Sequence, residues 1–174
     1  MTTRWRPIAE WVGFQVVWLA CALGAAHGRN APGVVAAALF IGTVLATKRS
    51  PASEALAILS SGAAGLAAES VIVATELIRF AAPWPSPQLA PAWIVALWLA
   101  FGATLSAMAS LLGHHFVIKA SVTGFVAGPL AYWAGERIGA LEVVGSVPLT
   151  YFAIALIWAV ALPLLLIFRQ RMFQ

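Results

Sequence analysis

Ionisable side chains interrupt an apolar stretch of the chain, Ala52 to Phe80, at Glu54, Glu69, Glu76 and Arg79. Such groups are costly at membrane depth and often belong to binding sites or proton pathways. On a helix, six residues of the stretch would share one stripe, with small residues first and charges after: Gly62, Gly65, Glu69, Ile72, Glu76 and Arg79. We therefore expect this stripe to face other helices instead of lipid.

Glu69 is the strongest candidate for chemistry on the stripe. It lies a little outside the middle of the predicted helix, where a charged carboxylate is costly unless it is protonated or paired. Such a carboxyl could carry a proton or bind a ligand. It could also be structural, with a hydrogen bond to a nearby hydroxyl, for which the candidates are Thr104, Ser106 and Ser70. The sequence favours the functional role and leaves the structural one open.

A second candidate site combines Glu76 and Arg79, which are three residues apart and are expected to form an intrahelical ion pair. In the alternative interpretation, Arg79 faces a cavity and holds an anionic group such as a carboxylate or phosphate. His27 and Arg137 are predicted at a similar depth and could join this patch. The patch would lie beneath a proline-rich loop that contains Trp84.

The remaining polar residues indicate weaker sites. Gln15, near Trp18 on one face of the predicted first helix, needs a hydrogen-bond partner away from water. Adjacent histidines, His114 and His115, do not suit a compact metal site, and Cys21 is the single cysteine, so we predict no metal and no cofactor. Motifs for nucleophilic catalysis or phosphate binding are absent from the sequence. A non-enzymatic role is favoured over catalysis by Glu, His and Arg.

The composition is typical of a membrane protein. Hydrophobic residues make up 62% of the 174 residues and charged residues only 9%, whereas about a quarter of a soluble domain is charged. At about 20 residues per span, the length allows six helices in a single domain, residues 1–174. The net charge of +4 comes from loops and tails, where basic residues orient a membrane protein, and we predict no nucleic-acid partner.

Proline, glycine and charged residues divide the chain into six predicted transmembrane helices, at about 8–26, 32–47, 52–80, 92–112, 116–135 and 148–168. With six spans, the larger group of basic residues falls on one side of the membrane: Arg4, Arg6, Lys48, Arg49, Lys119, Arg169 and Arg171. The smaller group falls on the other side: Arg29, Arg79 and Arg137. The positive-inside rule then places both termini in the cytoplasm. The fold class we predict is an all-α integral membrane protein.

Five short motifs together carry a resemblance that covers nearly the whole chain: Phe14-Gln15-Val16-Val17-Trp18, Gly24-Ala25-Ala26-His27-Gly28, Glu69-Ser70, Ala92-Trp93 to Trp98, and Gly128-Pro129-Leu130-Ala131-Tyr132. In combination they resemble a family of small bacterial inner-membrane proteins catalogued only as a domain of unknown function. The resemblance implies a multi-pass protein of the bacterial inner membrane. It also implies genes that lie beside genes for acyl-chain modification, including proteins similar to cyclopropane fatty acid synthases and flavin-dependent oxidoreductases.

Two functional hypotheses follow. The leading one is a membrane accessory protein of lipid or fatty-acyl modification, which presents lipid or recruits a partner enzyme and leaves the bond chemistry to that enzyme. The alternative is a small-solute binding or transport subunit, similar to the vitamin-capturing subunits of energy-coupled importers. Membrane lipids are the expected partners, with a partner enzyme or membrane subunit as a further possibility. The oligomeric state is left open.

Overall fold

The computed structural model describes residues 5–48, 50–113 and 115–172; Arg4, Arg49 and His114, named above, lie outside them. Six helices and two short strands follow one another in these residues: α1 (Arg6–Ala26), α2 (Ala31–Ala46), α3 (Pro51–Ala74), β1 (Ile78–Phe80), α4 (Ala92–Leu112), α5 (Phe116–Ile138), β2 (Leu141–Val143) and α6 (Val147–Met172). Proline occupies the first turn of α1, α2 and α3, where its missing N–H costs no helical hydrogen bond. The predicted all-α architecture therefore holds apart from the two strands.

The helices have the length and composition of membrane spans. Within the described residues, five are long and apolar enough to cross a membrane, and α2 is shorter, with 16 residues. Even so, α2 runs between the same two ends of the bundle as its neighbours. Asn30, at its start, donates a hydrogen bond to the Ala82 carbonyl beyond β1, and Lys48, just past its end, contacts Glu10 near the start of α1. The chain is thus a multi-pass membrane protein.

The helices pack as two units. The first contains α1 to α4, with α4 in contact with each of the other three, and the second is a tight hairpin of α5 and α6. Contacts between α5 and either α1 or α4 are few by comparison. The hairpin therefore leaves space between itself and the four-helix unit over part of its length.

The two strands join the units at one end of the bundle, which we call the strand end. They pair antiparallel, with Ile78 opposite Val143 and Phe80 opposite Leu141. Ile78 and Phe80 are buried and the intervening Arg79 is exposed, which is the alternation expected of a strand. The strand end thus ties the segment after α3 to the segment after α5.

This strand corrects the prediction of a helix over 52–80, since α3 ends at Ala74. The Thr75 hydroxyl donates to the Ile72 carbonyl, and Glu76 has a positive φ of 55°, a left-handed conformation that cannot continue a right-handed helix. The predicted intrahelical pair of Glu76 and Arg79 is therefore wrong. Arg79 instead pairs with Glu142 across the strands at 3.2 Å, and both side chains are well exposed, so the pair contributes little to stability.

Smaller corrections concern α5 and α6. The first was predicted to end at Gly135 but continues to Ile138, because the left-handed residue that terminates it is Gly139, with φ of 88°. Arg137 therefore lies in the last turn of a helix and not in a loop. Helix α6 extends beyond its predicted end to Met172.

The opposite end of the bundle, which we call the basic end, is held by alternating charges. Arg6 contacts Glu10 at 3.0 Å, and Lys48 lies between Glu10 at 3.2 Å and Glu54 at 3.9 Å. Arg169 contacts the same Glu54 oxygen, Oε1, at 3.3 Å. Both carboxylates are buried. This chain of ion pairs connects the starts of α1 and α3 with the end of α6.

Candidate functional site

Glu69 lies where the small-residue stripe predicted it, on the face of α3 that packs against α4. Gly62, Gly65, Glu69 and Ile72 are all buried, and Glu69 is only 1% exposed. The glycines are needed for this packing, since a Cβ added at Gly65 would lie 2.1 Å from Cγ of Trp98. The close approach of α3 and α4 therefore brings an indole ring directly beside the buried carboxyl.

Two aromatic side chains donate hydrogen bonds to Glu69. The indole Nε1 of Trp98 donates to its Oε1 at 3.0 Å, and the hydroxyl of Tyr132 donates to the same oxygen. These donors come from α4 and α5, so the carboxyl connects the two packing units. The other carboxyl oxygen, Oε2, is buried and has no hydrogen-bond partner among the described residues.

The hydroxyl partners expected from the sequence are engaged elsewhere. Ser70 accepts the backbone N–H of Ala90, and Thr104 donates to the carbonyl of Phe101 in its own helix. Ser106 donates to Glu54 at the basic end. The structural alternative, in which one of these hydroxyls bonds Glu69, is therefore wrong about the partner, because the donors to Glu69 are aromatic side chains of two other helices.

A third aromatic residue, Trp158 of α6, completes the surroundings of Glu69. Its ring stacks on Trp98 with centroids 4.6 Å apart and an interplanar angle of 18°, while Phe101 meets both rings edge-on. A Cβ at Gly128 would lie 2.5 Å from the Trp158 ring, and one at Gly124 would meet its backbone. These α5 glycines therefore allow α6 to come close enough for the two indoles to stack.

A cavity of about 470 Å³ extends from this cluster along the space between the four-helix unit and the hairpin. It is lined mainly by aromatic and aliphatic side chains, and its polar lining includes Gln15, Glu69, Thr123 and Tyr132. No Lys, Arg or His is found among the described residues that line it. Its volume and its apolar lining with a few polar groups are typical of small-molecule sites.

The cavity is elongated and reaches the side of the bundle. Trp93 and Met108, both lining residues of α4, lie about 22 Å apart along the helix axis at 1.5 Å per residue. Trp11 of α1 and Leu130 of α5 also line the cavity, and both are more than half exposed. Because α1 and α5 make few contacts, the space between them opens toward the surroundings of the bundle.

Two of the site residues predicted from the sequence, Glu69 and Gln15, line this cavity, and the other five do not. His27 terminates α1 and contacts the Leu23 carbonyl through Nδ1 at 2.8 Å. Arg137 lies over the ring of Trp133, 5.5 Å from its centroid. The other three residues, Glu76, Arg79 and Trp84, are exposed. Of these, Arg79 forms an ion pair with Glu142. The residues predicted to form a polar patch beneath the proline-rich loop thus make separate local contacts.

Sequence reasoning missed three residues of the site, Trp98, Tyr132 and Trp158. Two of them are the terminal residues of motifs that carry the family resemblance, in Ala92-Trp93 to Trp98 and Gly128 to Tyr132. An indole N–H or phenol O–H in an apolar helix needs a buried acceptor, and Glu69 is such an acceptor. This signal could have paired these aromatics with the carboxyl before the structure was known.

Replacing Gly65 by alanine tests the packing beneath the cluster. We expect Gly65→Ala to lower the free energy of unfolding by about 1 to 3 kcal/mol, the usual cost of overpacking a core, because the new Cβ displaces the Trp98 ring. The measurement is thermal unfolding of the detergent-purified protein. Gly42→Ala is the matched control, since Gly42 is helical with no heavy atom near its Cβ position. Equal melting temperatures for Gly65→Ala and Gly42→Ala would contradict this packing.

Comparison with known proteins identifies a family without assigning an activity. A family model described as "Protein of unknown function (DUF2878)" matches residues 7–164, nearly the whole chain. The resemblance drawn from the short motifs to a family of unknown function is thereby confirmed. No curated protein and no solved structure matches the chain. The geometry of the site therefore carries the functional argument.

Proposed function

The chain belongs to the DUF2878 family, and we propose that it holds one acyl chain of a membrane lipid in the cavity beside Glu69 and presents that lipid for acyl modification by a partner enzyme. The observation that carries this proposal is the shape and lining of the cavity. It is long, mostly apolar and open toward the side of the bundle. An acyl chain is similarly long and apolar, and it would enter from the membrane through the side of the bundle.

The elongated shape favours an acyl chain over the compact solute of the alternative hypothesis. A vitamin-sized molecule needs polar groups that are placed together around it to fix its orientation. Here the cavity is about 22 Å long, and two of its four polar groups, the carboxyl and the phenol, already bond to each other. We assign the bond chemistry to a partner enzyme because this lining suits binding and alignment more than acid–base turnover.

The proposal includes a membrane orientation. We propose six spans, with both termini on the cytoplasmic side of a bacterial inner membrane. In support, Arg6, Lys48 and Arg169 lie at the basic end, while Arg79 in β1 and Arg137 in the last turn of α5 lie at the strand end. This is the asymmetry that the positive-inside rule associates with orientation. The cavity would then lie within the hydrocarbon layer, where acyl chains have direct access.

Filling the cavity tests the proposal. We expect wild-type protein to retain one acyl lipid per chain in native mass spectrometry, and Ala131→Phe to retain roughly tenfold less. Such a loss corresponds to about 1.4 kcal/mol of binding free energy. Ala131 lines the cavity, and the added ring occupies the space of the chain. Ala38→Phe is the matched control, because Ala38 is exposed on α2 and does not line the cavity.

Two outcomes would contradict the proposal. The first is equal lipid retention by the wild-type, Ala131→Phe and Ala38→Phe proteins when all three unfold at similar temperatures. The second is retention of a compact polar solute in place of a lipid, and that solute's loss in Ala131→Phe. This second result would favour the small-solute binding or transport subunit.

A further inference from the structure

Two buried polar groups in the cavity wall lack hydrogen-bond partners. Glu69 accepts both of its hydrogen bonds on Oε1, and its Oε2 has no partner among the described residues. The indole Nε1 of Trp158 lies beside the Tyr132 hydroxyl but makes no hydrogen bond of good geometry. Both residues line the cavity. Buried groups of this kind are uncommon in native proteins and call for an explanation.

Both unpartnered groups are hydrogen-bond donors when the carboxyl is neutral. A charged carboxylate in this position would lack a compensating cation, since the described residues that line the cavity include no Lys, Arg or His. In the neutral acid, one oxygen carries the single O–H and the other is an acceptor. Because Trp98 and Tyr132 both donate to Oε1, the O–H belongs on Oε2. The wall therefore contains an O–H with no acceptor among the described residues, and an N–H whose neighbouring acceptor, the Tyr132 hydroxyl, is poorly aligned with it.

We propose that these two donors recognise a carbonyl oxygen, so that the preferred ligand is an acyl ester and not a bare hydrocarbon or a free carboxylate. This inference rests on the proposed binding of an acyl chain in the cavity. An ester carbonyl accepts hydrogen bonds and brings no charge into the membrane. A hydrocarbon leaves both donors unsatisfied, and a carboxylate brings a charge that no cation in the described lining balances.

The proposal assigns separate roles to the parts of the site. The apolar walls bind the chain whatever its end group, while Glu69 Oε2 and Trp158 Nε1 select the end group. The Glu69→Gln variant would keep this selection, because the new amide oxygen can accept from Trp98 and Tyr132 while the NH₂ group donates to the ligand. The Trp158→Phe variant would keep an aromatic ring for stacking but has no N–H.

Matched ligands test the inference. Binding of methyl palmitate and of hexadecane to delipidated, detergent-purified protein is measured by competition against a retained fluorescent acyl probe. We expect wild type to bind the ester roughly tenfold more tightly, as hydrogen bonds to otherwise unsatisfied donors predict. Glu69→Gln should keep this preference. Trp158→Phe should reduce it several-fold.

The outcomes separate this inference from the function on which it rests. If neither ligand displaces the probe from wild type, the proposed acyl-chain function fails. If both ligands bind wild type with equal affinity, the chain site stands and carbonyl recognition is overturned. Loss of the ester preference in a folded Glu69→Gln protein would also overturn it, as would an unchanged preference in Trp158→Phe.

Discussion

Replacing Glu69 by leucine is expected to lower the free energy of unfolding by about 2 to 6 kcal/mol. The variant removes the acceptor of two buried donors, Trp98 Nε1 and Tyr132 O–H, and each unsatisfied donor costs about 1 to 3 kcal/mol. The surroundings are apolar, so no water is available to accept a hydrogen bond from either donor. The measurement is unfolding of purified protein in detergent, followed by tryptophan fluorescence.

Two further variants show whether lost hydrogen bonds are the cause. Glu69→Gln keeps an acceptor for both donors and should unfold close to wild type. Adding Tyr132→Phe to Glu69→Leu removes one of the two stranded donors and should recover part of the lost stability, a coupling that a double-mutant cycle measures. If Glu69→Leu were as stable as Glu69→Gln, the carboxyl would not be holding the hairpin to the four-helix unit.

Replacing Glu54 by leucine at the basic end is expected to cost about 3 to 5 kcal/mol, the usual effect of removing one partner from a buried ion pair. Its Oε1 contacts both Lys48 at 3.9 Å and Arg169 at 3.3 Å. Without the carboxylate, two cations remain close together in a site where Glu54 is only 3% exposed. Chemical or thermal unfolding of the purified variant measures the loss.

The exposed ion pair at the strand end serves as the matched control. Arg79 and Glu142 are separated by 3.2 Å, with about 70% of each side chain exposed, and such pairs contribute about 0 to 1 kcal/mol. Glu142→Leu should therefore unfold near the wild-type temperature. If Glu54→Leu and Glu142→Leu both lost little stability and lost it equally, burial would not strengthen the ion pairs of the basic end. Glu54→Gln, which keeps the bond from Ser106, should fall between wild type and Glu54→Leu.

The sequence determined the helices, because the physics that selects them is local. Long apolar runs must satisfy their backbone hydrogen bonds internally in a membrane, so they form helices, and proline marks the first turn of several of them. The stripe that contains Gly62, Gly65 and Glu69 was predictable for the same reason. Small residues and a carboxyl at helical spacing must face protein instead of lipid, and they are buried in the structure.

Only the tertiary structure decided which residues meet that stripe. In a soluble helix the polar face limits the possible partners, but these helices are apolar on nearly every side, so the sequence leaves many packings open. The donors to Glu69 lie 29 and 63 residues further along the chain. Hydroxyls of the neighbouring helix were equally plausible partners until the packing of α3, α4 and α5 was known.

The ends of the bundle depended on the tertiary structure for a different reason. A continuous helix through Arg79 agreed with the spacing of the charges, but one left-handed residue, Glu76, redirects the chain into a strand whose partner is 63 residues away. At the basic end, Lys48 lies between carboxylates from two different helices. Local residue patterns determine helices, whereas strand pairing and ion-pair partners depend on which distant segments the fold brings together.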